Sequence, residues 1–321
     1  MKTKYLLIGF FLSLIIAILL SLSPFIKTNN SNNNLLHSAL TNTPKPTLTP
    51  TPTPTVTFGL MGDLGLGRHI TSIGRSKNNF SWSFQEVSHI LKQNDFNLAN
   101  LESPIITNCP KGEKGTFTFC GDTRFLPQLS ENKFILNLAN NHIFNYGNDG
   151  FSQTKNFLTD YQVDYFYSHQ SDSEFVKKEV NSIVFGFLGF DYITNPKLNS
   201  ETIINLIKKY DSQVDWLIVS LHWGNEYLPK PEKWRIELAH RLVDAGADII
   251  HGHHPHVLQQ KEEYLQKPIY YSFGNFIFDQ DWSPETKKSE IVNLTVTKTK
   301  IIDQEIIPLT IEHNSQPQPA I

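Results

Sequence analysis

The chain has 321 residues, 39% of them hydrophobic and 18% charged, which is enough apolar content for one large domain or two small ones with a substantial core. A formal net charge of −3 and a pI near 6.5 exclude the basic footprint of a nucleic-acid-binding protein. Two cysteines are too few for a thiolate metal site and enough for one disulfide.

At the start, Lys2 and Lys4 precede a mainly apolar stretch over residues 5–26. That stretch is long enough to cross a bilayer as a helix. Positive charge before it predicts a cytoplasmic N-terminus, with the rest of the chain outside. A cleaved signal peptide is the competing reading, but no small-x-small cleavage site stands out. An uncleaved membrane anchor over 1–27 is the expectation, hence a single-pass cell-membrane protein with an extracytoplasmic domain. Residues 28–55 read as a linker, first Asn/Ser-rich and then alternating Thr and Pro. Alternating Pro favours extended polyproline II, which would hold a domain on the order of 50–80 Å from the membrane if fully extended.

A folded domain is expected over 56–315. Residues 56–61 read as a buried strand that closes on Gly62-Asp63, with Gly65 and Gly67 turning the chain. Over 83–93, Phe84, Val87, Ile90 and Leu91 fall at helical spacing. Residues 96–101 form the next strand and end on Glu102. Cys109 and Cys120 bracket a polar loop and are expected to pair outside the cytoplasm. A strand over 134–138 ends on Asn140-Asn141-His142, and Asp149 is placed to cap a helix to Tyr161. Apolar strands follow at 163–167 and 183–190, then a helix over 201–210. The strand 216–221 meets His222. A helix over 231–245 carries Trp234, Leu238 and Leu242 on its core stripe, with Gly246 as its stop. The short run Ile249-Ile250 leads into His251-Gly252-His253-His254-Pro255-His256. Residues 268–278 read as a further strand, and 290–297 with 301–311 as a closing hairpin. Strands alternating with helices argue an α/β fold, and the closely spaced late strands argue two sheets.

Five of the apolar runs end on a group able to bind metal: Asp63, Glu102, the Asn140-Asn141-His142 run, His222 and the cluster at 251–256. Open α/β folds build their sites at such strand ends. Taken singly, Asp63 serves as well to cap a turn, and His222 as a satisfied core histidine. Recurrence at five strand ends is what argues for one site. Carboxylates, an amide oxygen and several imidazoles suit Zn, Mn or Fe, and suit Ca poorly. His37, His69, His89, His169, His240 and His313 lack this context.

Six segments, in matching order, resemble the CapA family of bacterial poly-γ-glutamate capsule biosynthesis proteins: GDLGLGR (62–68), NLESPI (100–105), LANNHIFNYGNDGF (138–151), HWGNEY (222–227), LAHRLVDAGADIIHGHHPHVLQ (238–259) and YSFGNFIFDQ (271–280). The resemblance implies a fold similar to the calcineurin-like metallophosphoesterases, a four-layer α/β/β/α sandwich, on an outward-facing anchored protein. It implies that Asp63, Glu102, Asn141, His222, His254 and His256 hold divalent metal ions, two of Mn, Zn or Fe. His142 is then the acid that protonates a leaving group, and Arg68 helps neutralise developing negative charge. Bound metal would let water act as a nucleophile near neutral pH. There are departures from the superfamily pattern. Gly65 stands where a histidine is usual, and Glu102 where an aspartate is usual. The His-x-His register is open, because His251 and His253 have the spacing as well as the preferred His254 and His256. Asn275 either supports the histidine loop or substrate, or is a plain turn residue.

The function so implied is a membrane-anchored, metal-dependent hydrolase-like protein of poly-γ-glutamate capsule or cell-envelope polymer biosynthesis. An anionic polymer or a phosphoester would be its substrate, and membrane subunits of a polymer synthase its partners. A non-catalytic polymer-binding or export subunit with a structural metal site is the alternative. Lys177-Lys178, Lys208-Lys209 and Lys287-Lys288 are short pairs that read as solvated faces.

Overall fold

The strand Val56–Leu64 is paired on both sides within a nine-stranded sheet of the computed structural model. It runs parallel to Phe96–Leu101, and the parallel order continues through Phe134–Asn137 and Asp164–Ser168. On its other side it pairs antiparallel with Lys288–Val296, which forms a hairpin with Ile301–Glu312. A second, six-stranded sheet has Ile183–Asp191, Trp216–His222, Ile249–His253 and Lys267–Tyr270 parallel at its centre. The structure describes residues 52–110, 117–168, 173–312 and 315–320. They belong to the compact unit Thr51–Ile321.

Side-chain alternation along the strands produces the layers. Phe58 and Leu60 of the first sheet, with Phe96 and Leu98, meet Phe185, Phe187, Trp216, Ile218 and Ile249 of the second. Phe58 stacks on Phe96 at 4.8 Å, and Phe185 meets both edge-on at 5.4 and 5.1 Å. The opposite face of the first sheet packs on helices Arg68–Lys77, Leu126–Glu131 and Gly147–Asp160 through Ile70, Leu126 and Leu158. Leu217, Val219 and Leu221 turn to the far side of the second sheet, onto helices Ser200–Asp211 and Lys233–Asp244. The order of layers is therefore helix, sheet, sheet, helix.

One polar row crosses each sheet at its upper end. In the first sheet Asn275, Asp63, Asn100 and Asn137 stand side by side in register. In the second, Asp191, His222 and His253 do the same. Strand parity decides which way the second row points. Ile218 faces the space between the sheets, so Ser220 and His222 face it too, and Ile249 carries His251 and His253 with it.

Several elements differ from the sequence expectation. The helix expected over 83–93 is broken into a 3-10 turn, Trp82–Phe84, and one helical turn, Ser88–Leu91. The strand expected over 268–278 is split into Lys267–Tyr270 in one sheet and Asn275–Ile277 in the other, so the chain changes layers at Ser272–Gly274. Asp149 lies in the first turn of Gly147–Asp160 and does not cap it. Trp234 is 42% exposed, whereas Leu238 and Leu242 are buried, so the stripe on that helix is narrower than its spacing suggested. The helix Arg68–Lys77 is additional to the expected elements. Cys109 and Cys120 form the expected disulfide. Among the described residues no helix is long and apolar enough to cross a membrane, and the predicted anchor lies outside those residues.

Candidate metal centre

The residues singled out at five strand ends converge at the upper edge of the two sheets. Asp63 and Glu102 are fully buried, as are His222 and His253, while His254 and His256 are 5% and 2% exposed. One ligand-capable atom from each of Asp63, Glu102 and His222 lies within 4.8 Å of the others, and the same holds for Glu102, His254 and His256. Glu102 is common to both groups.

Around Glu102, its Oε1 is 3.6 Å from His222 Nε2 and 3.8 Å from His256 Nε2 and His142 Nε2. His222 Nε2 is 2.8 Å from Asn141 Oδ1 and 3.1 Å from His254 Nδ1. On the other side, Asp63 Oδ1 accepts from Asn100 Nδ2 at 2.8 Å, and Oδ2 from the His254 backbone N–H at 3.2 Å. His253 Nδ1 and His256 Nδ1 each lie 3.3 Å from an Asp63 oxygen.

The ring of His256 has its proton placed by Asn275. The Asn275 amide nitrogen donates to the carbonyls of His256 and Thr286, so its Oδ1 is the atom 2.9 Å from His256 Nδ1. His256 Nδ1 therefore donates, and Nε2 is left as a lone pair facing Glu102. Asn275 thus supports the histidine loop, and sequence alone left it indistinguishable from a turn residue. Asn100 is a second partner that sequence reasoning missed. Its oxygen accepts from Asn137 and Asn140, and its amide nitrogen serves Asp63 and lies 3.2 Å from His222 Nδ1. This places the His222 proton on Nε2, donating to Asn141. A cation at Nε2 requires that proton to move to Nδ1 and the Asn100 amide to turn.

Burial, reinforced by the charge of Asp63, pushes the Glu102 carboxyl well above the usual carboxylate range. Both of its oxygens are buried without a hydrogen-bond partner among the described residues. A buried carboxyl left this way costs several kcal/mol as an anion unless a cation is beside it. Burial also acts to raise Asp63, but its contacts with His253 and His256 outweigh it and hold that carboxyl well below the usual range. Burial lowers His222 well below its ordinary value and His254 to about 3, which leaves both rings neutral. Neutral imidazoles, an amide oxygen and two carboxylates form a mixed donor set that fits a divalent transition metal.

His142 and Arg68 stand at the rim of this group. His142 Nδ1 is 3.1 Å from Asn145 Oδ1, which also accepts the Phe119 N–H, so Nδ1 donates and Nε2 faces Glu102 as an acceptor. Burial lowers the His142 ring to about 4. To act as an acid it must first take up a proton at Nε2. Arg68 is 5% exposed, pairs with Asp279, and lies 4.3 Å above the Phe119 ring. Arg68, His254 and His256 all have positive φ, at 47°, 94° and 57°. Such backbone costs about 1–3 kcal/mol at each non-glycine position and clusters at functional sites. A cleft of about 720 Å³ opens beside Asn141 and His254, lined also by Tyr192, Glu226, Glu232 and Trp234.

Residues 57–280 match the sequence model of the family described as bacterial capsule synthesis protein PGA_cap. The chain belongs to this family. It is 32% identical over 289 residues to the capsule biosynthesis protein CapA of Bacillus anthracis, covering 82% of this chain and 69% of that protein. To the PGA biosynthesis protein CapA of Bacillus subtilis it is 32% identical over 277 residues, covering 81% and 72%. Among solved structures it is similar to a Staphylococcus aureus chain described as a candidate 5′-nucleotidase, with a TM-score of 0.52 and 15% identity over 81% of this chain and 55% of that one. At that identity the likeness speaks for the fold alone. The PGA_cap match covers every residue of the cluster, from Asp63 to Asn275.

Proposed function

We propose that this PGA_cap chain is a metal-dependent hydrolase-like protein of poly-γ-glutamate capsule or related envelope-polymer biosynthesis. Its domain would be held outside the cytoplasm by the apolar N-terminal segment. The observation that supports this reading most is the convergence of Asp63, Glu102, His222, His254 and His256 in one buried group, with both Glu102 oxygens lacking a hydrogen-bond partner among the described residues. Asp63, Glu102 and His222 would hold one divalent ion, and Glu102, His254 and His256 a second, with Asn141 beside His222 as a further donor. Such ions supply Lewis-acid stabilisation of a phosphoryl or acyl oxygen and a lowered pKa for water. The chain's own residues do the rest. His142, neutral with Nε2 facing Glu102, takes a proton at that atom and returns it to a leaving group. Arg68, held by Asp279, gives the rim a fixed positive charge. The membrane subunits of a polymer synthase are the partners this reading implies.

A second reading, a polymer-binding or export subunit with a structural metal site, is favoured by one observation. Gly65 leaves no side chain two residues beyond Asp63, where the superfamily pattern has a metal ligand, which weakens the catalytic set. The test is metal analysis followed by turnover on generic phosphoesters and γ-glutamyl polymer. His142→Ala is expected to keep the metal and lose about 10²–10⁴-fold in rate. Unchanged turnover removes His142 from the chemistry. Metal and polymer binding with no turnover in the natural protein favours the second reading. For the membrane placement, protease added to intact cells is expected to cut the domain, and full protection counts against it.

A further inference from the structure

Gly65, two residues beyond Asp63, has no room for a side chain. A Cβ there would stand 2.6 Å from the Phe278 ring, and Phe278 is itself packed against His256 at 4.9 Å. The ligand that the motif lacks at this position therefore has no space on that side of Asp63. On the other side lies His253, fully buried, with Nδ1 3.3 Å from Asp63 Oδ1 and no hydrogen-bond partner among the described residues.

The proton on His253 is placed by a chain of contacts that starts at a backbone carbonyl. His251 Nε2 lies 2.9 Å from the Met61 carbonyl oxygen, which can only accept, so Nε2 carries the proton. His251 Nδ1 is then an acceptor with two donors beside it, the Ser220 hydroxyl at 3.1 Å and His253 Nε2 at 3.0 Å, and because a second lone pair at 3.0 Å would be repelled, His253 Nε2 donates. A neutral His253 consequently aims the Nδ1 lone pair at a carboxylate oxygen. Two acceptors facing each other in a buried site are unfavourable unless a cation draws both: a proton on Nδ1 shared with Asp63 in the metal-free site, or a metal ion in its place.

We propose that His253 Nδ1 is a ligand of the ion held by Asp63 and Glu102, standing in for the side chain that Gly65 cannot carry. The proposal rests on the metal-dependent reading above and deepens it. Both histidines of each candidate His-x-His pair are thereby used: His254 and His256 at the ions, His253 also at an ion, and His251 behind His253 as the residue that places its proton.

The test uses the full chain in detergent with cobalt(II) as the probe metal and ¹⁵N-labelled histidine. Cobalt-loaded natural protein is expected to bind two ions and to show a contact-shifted, slowly exchanging N–H from His253 Nε2. In His253→Ala that signal disappears. Affinity for one ion falls by more than the roughly 10–100-fold that loss of an outer partner costs, and the other ion is retained. Two ions bound by folded His253→Ala with unchanged affinity overturn the proposal. Should the variant fail to fold, the natural protein decides alone: a His253 ring with both nitrogens protonated and no contact shift in the loaded state also overturns it. Natural protein that binds no cobalt at all sinks the metal-dependent reading itself, a result distinct from either of these.

Discussion

At the residue scale, a single amide decides which nitrogen of His256 is available. Asn275 is fully buried, and its orientation is imposed by two backbone carbonyls. Removing the amide frees the ring to turn and lets the proton settle on either nitrogen. Asn275→Ala is expected to lower divalent-metal affinity about 10–100-fold while the fold is kept. Calorimetric titration of manganese, with near-ultraviolet circular dichroism as the control for folding, reads both. An unchanged affinity would return Asn275 to the role of a turn residue. Sequence could not separate the two roles, because an asparagine in Gly-Asn-Phe suits a turn whatever its amide touches.

At the element scale, the disulfide loop is joined to the site through Phe119. Cys120 follows Phe119 directly, and Phe119 stacks on the His142 ring at 3.9 Å and beneath Arg68 at 4.3 Å. Cys109 and Cys120 pack with Ile106 and Tyr146 in a small apolar group at the side of the main core. Replacing both cysteines by serine is expected to cost about 2–3 kcal/mol on the chain-entropy account. In a domain of this size that lowers Tm by roughly 5–10 °C. Calorimetry of the variant beside the oxidised parent measures it, and an unchanged Tm would mean the loop is held by its packing alone. The same scale shows where periodicity misled. Phe84, Val87 and Leu91 are buried as helical spacing requires, but the backbone between them breaks into two short turns. Burial of alternating contacts constrains the side chains more than the hydrogen-bond pattern beneath them.

Across the whole molecule, buried histidines set the response to acid. Burial lowers His142 to about 4 and His254 to about 3, and takes His222 and His251 well below the ordinary value. In the unfolded chain each titrates near 6.5. Below that pH the unfolded state binds more protons than the folded one, so stability is lost as pH falls from about 6.5 towards those lower values. Glu102, raised by burial and by Asp63, works in the opposite sense, losing stability as pH rises. Asp191 and Asp211, also raised by burial, act as Glu102 does, so four histidines stand against three carboxyls, and the histidines decide the sign. Metal-free protein is expected to unfold at lower urea concentration at pH 5 than at pH 7.5. A midpoint that stays level or rises on acidification would contradict the buried, neutral state of these rings.

The amino-acid sequence alone determined the α/β class, the two sheets, the pairing of the cysteines and the family, because strand ends, turn residues and six motifs are local properties of the chain. It also brought forward Asp63, Glu102, Asn141, His142, His222, His254 and His256 as candidates, since each closes an apolar run. Only the tertiary structure decided that Asn100, Asn275 and His251 stand behind them and that His253 faces Asp63. The first three act across 19 to 190 positions of chain, Asn275 on His256 and His251 on Met61. No spacing rule reaches that far, because which nitrogen carries a proton depends on the atom facing it after the two sheets have closed.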